Sequence, residues 1–473
     1  MTHLSLGMTT LGTTWTAGKN LIIILSLTGM VAWSPLVLTS SLLDLSLREL
    51  MNVKVQQSRP QGLFWSRATA PTSSTINIGL LVPFTAEKKA SVEIIAAAEF
   101  AAAEINSLGG INGKKLAIIR GDDNLDEETG IKVASRMIKN HDIKALIGPV
   151  ASQHVLAVAK AVTIPAGIPL FAPAANANEL SELKDNDLVF RVTATNRQIT
   201  DKMVEFLSQN QLNKVAVFYQ RDVFGRELYQ GLSQSIKLSG GEVVFSESLS
   251  KSVTFDSYSL AYEIKQAQKL GSEVLMLVVP SGQFDSFFEQ IAKHWQGKLP
   301  ILLLPEHANL TIPETPKFSR SVCVFSVVPT QSNKDLRIIK GITKTLDVSH
   351  TSYTAVFVND LTYLIASALS LAERKSTEFS TSLRQITANN RPTISTLSFA
   401  NFSKQLAQHN TTSFLGQSGP IHFDGKGDNK MVQLVVREFH KVYGAGCDRK
   451  KLRTLTEKPK TLTVLNLNKL TIE

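Results

Sequence analysis

The sequence predicts an α/β protein of two lobes, each a parallel sheet covered by helices. Three observations predict it. From Ile76 onward, short apolar runs alternate with stretches of helical period across short connections, the pattern of right-handed strand–helix–strand crossovers. The same rhythm restarts after Arg191. The run IGPVAS, Ile147–Ser152, is an apolar strand ended by Gly148-Pro149 and followed by a serine that opens a helix. Open α/β sheets bind ligands beyond such strand ends, where a helix start offers unsatisfied N–H groups and partial positive charge.

The elements follow in order. Ile76–Val82 is an apolar, β-branched run ended by Pro83, a buried strand. Ile94, Ala98, Ala101, Ile105 and Leu108 recur at helical spacing. Gly109-Gly110 stops that helix, and Asn112-Gly113 turns into a strand Leu116–Arg120 closed by Asp122, Asp123 and Asn124. Asp126, Glu127 and Glu128 put acids at the start of a helix whose buried face is Ile131, Ala134 and Ile138. A strand Ile143–Ile147, a helix from Ser152 to about Ala166 and a strand Pro169–Ala172 complete the first unit, with a polar loop Pro173–Asn178 after it.

In the second unit, strands are expected at Val215–Tyr219, Val243–Phe245, Val274–Val279 and Ile301–Leu304. Helices are expected at Phe224–Leu238, Leu260–Leu270 and Phe284–Trp295. Beyond Ser321 come a strand Val322–Val328, helices Ser332–Leu346 and Thr354–Leu371, a hairpin arm Phe414–Asp424 and a last strand Met431–Val442. They are too few for a third domain and complete the two sheets.

Length, charge and cysteines set bounds. At 473 residues the chain exceeds one ordinary core. Its net charge of +10 sits mainly at the two ends, so the body is nearly neutral and no nucleic-acid face is indicated. Cys323 and Cys447 make neither a disulfide framework nor metal-ligand spacing, and Cys323 reads as a buried free thiol. Leu21–Leu38 is apolar apart from Ser26, Thr28, Gly29, Ser34 and Pro35, long enough to cross a bilayer. An uncleaved anchor is the preferred reading, with a cleaved signal peptide as the alternative. Arg48, Lys54, Arg59 and Arg67 after the run, against Lys19 before it, oppose an outside body by the positive-inside rule.

Catalysis finds no support. There is no P-loop, G-x-S-x-G elbow, H-E-x-x-H helix or dinucleotide fingerprint, and His141, His154 and His307 lack ligand spacing. No cofactor and no metal are expected.

Seven runs in order resemble one family. They are INIGLLVPFT (Ile76–Thr85), AAAEINSLGGINGKKLAI (Ala101–Ile118), GDDN (Gly121–Asn124), IGPVAS, GIPLFAPAANANEL (Gly167–Leu180), FRVTATNRQ (Phe190–Gln198) and SGPIHFDGKGD (Ser418–Asp428). Residues 76 to about 443 resemble the type I periplasmic-binding proteins, specifically the branched-chain amino acid group of ABC-transporter substrate-binding proteins. The resemblance implies two Rossmann-like lobes that close on a ligand about a three-crossing hinge, near Arg191, Val327 and 415–420. The organisation expected is a signal or anchor segment 1–50 and a linker 51–75. Lobe 1 spans 76–191 with 328–415, lobe 2 spans 192–327 with 416–443, and a basic tail covers 444–473.

The resemblance also assigns a site. Ser152 matches the serine that holds a ligand α-carboxylate with nearby N–H groups. Ala174 and Asn176 fall in the loop that holds the α-ammonium, where Asn176 replaces a usual threonine. Phe224 stands at a frequent tyrosine, and Glu306 matches an acid that pairs with the ammonium from the second lobe. Together they would offset the desolvation of both charges of a zwitterion. Each residue also fits a structural role: Ser152 an N-cap, Asn176 its own turn, Phe224 core, Glu306 surface. The first loop carries Glu87, Lys88 and Lys89 in place of the usual Gly and Tyr, and the aromatic position near Pro280-Ser281 is unfilled, which leaves the ligand's side chain open.

The implied role is capture of a small polar solute, an amino acid or related amide, for an ABC-type importer, outside the cytoplasm at the inner membrane. The partners would be permease subunits and, through 21–38, the membrane. A tethered ligand sensor with a signalling partner, or a ligand-free scaffold of the same fold, is the alternative.

Overall fold

The computed structural model describes residues 64–66, 75–250, 258–279, 284–298, 300–305, 323–329, 352–388, 393–395 and 413–438. The leader with its 21–38 run, most of the 51–75 linker, the expected helix Ser332–Leu346, Glu306 and the 444–473 tail lie outside the described residues.

The first sheet begins with β1 (Phe64–Ser66), and β2 (Thr75–Val82) leads into α1 (Lys88–Ser107). Then come β3 (Lys115–Asp122), α2 (Glu127–His141), β4 (Ile143–Ile147) and α3 (Ser152–Val158), which runs through a π turn to Ala166. β5 (Leu170–Ala172) and β6 (Val189–Arg191) complete it. The spatial order is β1-β3-β2-β4-β5-β6, parallel except that β1 runs antiparallel to β3. Part of the expected linker is therefore strand: Trp65 pairs with Arg120 on what would otherwise be an open sheet edge. Three residues in a polar stretch carry too little periodicity to be read as a strand.

The apolar face predicted for α1 is buried at Ile94, at 2 % exposure, and at Ala98, Ala101 and Ile105, at 0 %, whereas Leu108 is the C-cap beyond the helix end and is 49 % exposed. Its alanines admit a second helix at close range, and each isoleucine contributes about 1.5–3 kcal/mol by leaving water. Asn112-Gly113 makes the expected tight turn, with Ile111 and Lys114 exchanging backbone hydrogen bonds of 2.8 and 3.0 Å. Asp126 caps α2 by accepting from Thr129 N at 2.8 Å, with Glu127 and Glu128 in the first turn.

The chain then passes into α4 (Asn196–Gln209), opened by a Thr195–Gln198 capping box. It continues through β7 (Lys214–Gln220), α5 (Val223–Leu238), β8 (Glu242–Leu249), α6 (Ala261–Lys269), β9 (Val274–Val278), α7 (Phe284–His294), β10 (Ile301–Leu304) and β11 (Cys323–Pro329). Next come α8 (Tyr353–Lys375), α9 (Phe379–Ile386), β12 (Thr393–Ser395), β13 (Ser413–Gly416), β14 (Gly419–Pro420) and β15 (Leu434–Glu438). The second sheet reads β15-β11-β10-β9-β7-β8, parallel except for β15 against β11. A small sheet β12-β13-β14 stands apart.

α8 is long and apolar enough to cross a membrane, yet it is largely buried here. It lies on α1, where Asn359 donates to Ala97 O at 3.1 Å and Tyr363 OH donates to Glu104 at 2.7 Å. Buried all round from Thr354 to Ala368, it shows no polar face over that length, and only its last turns carry exposed charge.

The third crossing falls later than 415–420. Phe423 packs with Phe190 at 5.1 Å and Phe171 at 6.5 Å between ring centroids, inside the first sheet's core. Asp360, buried in α8, accepts from Gln417 N at 2.8 Å and Ser418 N at 2.7 Å, holding that arm to the first lobe. The chain leaves for the second sheet only after Asn429, whose N–H donates to Arg191 O at 3.0 Å. Cys323 is not the free thiol expected but is disulfide-bonded.

Candidate functional site

In each sheet the strand order reverses beside the unit's first strand. In the first sheet β2 lies between β3 and β4; in the second β7 lies between β8 and β9. Crossovers leave in opposite directions there, which opens a crevice at the strands' C-terminal ends. The loops at these two points are 83–87 with 148–151, and 221–222 with Val279. The two crevices face each other. The starts of α3 and α5 pack together, and Val223 lies against the first lobe's core while its neighbour Phe224 lies against the second's.

The first loop is shaped by Asp122, at the end of β3. Its Oδ2 accepts from Thr85 N at 3.1 Å and Thr85 Oγ1 at 2.5 Å, and its Oδ1 from Asn124 N at 2.8 Å. Burial raises its pKa, and these donors work against that rise. Beyond Thr85, burial also raises Glu87 and lowers Lys88. Behind the loop, Asp123 is fully buried and pushed up to about 7 by desolvation, and its Oδ2 lies 3.8 Å from His154 Nδ1.

IGPVAS forms the second wall. Gly148 sits at φ +90°, and a Cβ there would lie 2.1 Å from Leu81 O, so no side chain fits. Ser152 is the first residue of α3, and the N-cap is Ala151. Its Oγ therefore does not cap the helix. It accepts instead from Asn176 N and Ala177 N, each at 3.2 Å. With both lone pairs so used, what the oxygen has left is its proton to donate.

The structure thus brings Ser152 and the 173–178 loop together. Ala174 stands half-buried at the head of that loop. Asn176 is buried, but its amide is turned to the first crossing, with Nδ2 donating to Ala194 O at 2.7 Å and to Thr193 Oγ1 at 3.4 Å. Its carbonyl accepts from Asn196 N at 2.7 Å. Asn176 braces loop to hinge here. Phe224 is half-buried on the second core. Glu306 is outside the described residues.

Sequence reasoning passed over two groups that hold this loop. Arg191, buried at the first crossing, donates to Asp428 Oδ1 from Nε at 3.0 Å and Nη2 at 2.6 Å. Its guanidinium also reaches Ser181 Oγ and Ala177 O, both at 2.6 Å. Asp428 lies 237 residues away, so no local pattern marks the pair. The second group is Glu227 on α5, which accepts from Asn178 N at 2.6 Å, Glu179 N at 3.2 Å and Asn196 Nδ2 at 3.0 Å.

Two α/β lobes joined by a hinge, with facing crevices and a hydroxyl donor on one wall, define a two-lobed solute-binding architecture. The chain matches the periplasmic binding protein family over residues 75–378, more than half its length, and it belongs to that family. Among curated proteins it is similar to Leu/Ile/Val-binding protein homolog 7 of Brucella abortus, 29% identical over 217 residues, covering 44% of this chain and 53% of that one. It is also similar to the Leu/Ile/Val-binding protein of Escherichia coli K12, 29% identical over 149 residues, covering 31% of this chain and 40% of that one. The chain thus spans about half or less of the length of these relatives.

Among solved structures it resembles an ABC transporter substrate-binding protein from Desulfitobacterium hafniense in complex with Leu. The TM-score is 0.58 at 18% identity, covering 80% of this chain and 100% of that one. A solute-binding protein from R. palustris in complex with benzoate gives a TM-score of 0.62 at 18% identity, covering 80% and 95%. At these identities the likeness is one of fold.

Proposed function

We propose that this protein captures a small carboxylate-bearing solute, an amino acid of the branched-chain kind or a close relative, between its two lobes and delivers it to an ABC-type importer. The observation that carries the reading is Ser152. Its Oγ has both lone pairs taken by Asn176 N and Ala177 N, stands at the reversal point of the first sheet, and faces the start of α5 across the cleft. Such a hydroxyl donates, so the group it suits is an acceptor, and the positive end of α3 beside it favours an anion. Ala174 and Phe224 would line the same crevice, and Glu306 would meet an ammonium from the second lobe. Asn176 would act through the loop's backbone, because its amide is occupied. The relatives named for Leu, Ile and Val, and the neighbours bound to Leu and to benzoate, share a carboxylate.

The site would work outside the cytoplasm, as the family does, with residues 21–38 as a membrane anchor. A disulfide at Cys323 suits an oxidising compartment. The test is titration calorimetry with leucine, leucine amide and isovalerate. Heat with leucine that disappears with leucine amide supports carboxylate capture. Equal binding of leucine and its amide removes it.

A further inference from the structure

Val223 and Glu227 are four residues apart on α5 and therefore share one face of that helix. Both contact the opposite lobe. Val223 packs against the first lobe's core, and the Glu227 carboxylate accepts from Asn178 N and Glu179 N, at the start of the 3-10 helix Asn178–Glu182. A helix start leaves its first N–H groups without partners inside the helix, and a carboxylate from outside is a strong way to satisfy them. The same carboxylate accepts from Asn196 Nδ2 at the head of the second lobe. One side chain thus spans the first crossing from the second lobe to the first.

What it holds is the loop that supports Ser152. Asn176 N and Ala177 N bond the Ser152 hydroxyl, and the next two N–H groups along the chain, those of Asn178 and Glu179, bond Glu227. Four successive backbone donors are shared between a first-lobe hydroxyl and a second-lobe carboxylate. Other anchors of this loop are Arg191 and Asp428, at the hinge crossings, and the start of α4, where Asn196 N donates to Asn176 O at 2.7 Å and Arg197 N to Asn178 Oδ1 at 3.2 Å.

We infer that Glu227 is a positioning residue for the binding site: by gripping the backbone of the 176–179 loop from across the cleft, it ties the placement of the Ser152 hydroxyl to closure of the lobes. The inference rests on the solute-capture reading. Loss of the grip leaves the loop tied to the second lobe only at the start of α4, beside the crossing, and no longer through α5.

The test is hydrogen exchange of the full chain without ligand, so that its outcome does not depend on which solute binds. Glu227→Gln places an amide donor against N–H donors. It is expected to speed exchange by about tenfold in the 173–182 loop and also at the facing helix starts, 150–156 and 221–228. Glu179→Gln is the control. It breaks an ion pair with Lys160 inside the first lobe and leaves the helix starts at native rates. Unchanged exchange in Glu227→Gln overturns the inference. So does faster exchange confined to 173–182, which would make Glu227 a local cap. Should Glu227→Gln fail to fold, Val223→Ala removes the apolar half of the same contact and carries the same expectation. A cleft that opens in these variants while leucine fails to bind the native chain would remove solute capture and leave the grip standing.

Discussion

Replacing Ser152 by alanine should destabilise the ligand-free protein, apart from any effect on binding. The hydroxyl accepts from two backbone N–H groups, those of Asn176 and Ala177, at 3.2 Å each, and both residues are buried. Alanine leaves both donors without a partner and creates almost no cavity, so the cost is that of two unsatisfied buried groups, ~1–3 kcal/mol each. Both bonds are at the long end of the normal range, which favours the lower half, ~2–4 kcal/mol in all. At roughly 2 °C per kcal/mol for a chain above 200 residues, Tm should fall by about 4–8 °C in a scan without ligand. Binding of an acidic ligand should weaken in the same variant by a further ~1–3 kcal/mol. Asp126→Ala is the comparison. It removes one cap bond, to Thr129 N at 2.8 Å, and should cost about 1 kcal/mol of stability with no loss of affinity. A Ser152→Ala protein that melts with the native one would show that the 173–178 loop does not hang from this hydroxyl.

Two further outcomes follow from buried charge. Asp428→Ala strands the Arg191 guanidinium at 1 % side-chain exposure and should cost ~3–5 kcal/mol, read from urea unfolding; a loss under 1 kcal/mol would contradict the pairing. Asp123, pushed up to about 7 by burial, binds a proton in the folded state that the unfolded chain releases near its ordinary value of 3.8. The stability it contributes is thus fully present below that value and is lost as pH rises to about 7. Asp123→Asn should flatten the fall of Tm with pH across that window, and an unchanged Tm profile would show that Asp123 is not the group titrating there.

Much of the fold was legible because burial leaves a period. The α1 stripe of Ile94, Ala98, Ala101 and Ile105 went wholly inside, and the strands from β2 to β5 lie where apolar runs end in Gly, Pro or Asp. What stayed hidden depends on partners remote in sequence. β1 is a strand only because the β3 edge needs one. Phe423 belongs to the first lobe because Phe171 and Phe190 receive it, which moves the third crossing beyond the 415–420 that the family resemblance implied. In the candidate site, the sequence placed Ser152 and the 173–178 loop in one proposed site but gave none of the bonds that join them. A serine at a helix start reads as a cap until the loop it bonds is in place. Asn176 reads as a ligand group until Ala194 takes its amide. Glu227 was one more acid on a helix surface. Its role depends on the other lobe, and only its i+4 spacing from Val223 hinted at a shared face.

The most direct measurement is thermal unfolding of the full chain against a panel of leucine, isoleucine, valine, benzoate, their amides and neutral sugars. A ligand that binds only the folded state stabilises it by RT ln(1 + [L]/Kd), about 2.7 kcal/mol at a hundredfold excess over Kd. The expected result is a Tm rise with one or more carboxylates that is absent with the matching amide and lost in Ser152→Ala. A cooperatively unfolding protein whose Tm moves with none of them, or moves equally with acid and amide, would contradict carboxylate capture between the lobes.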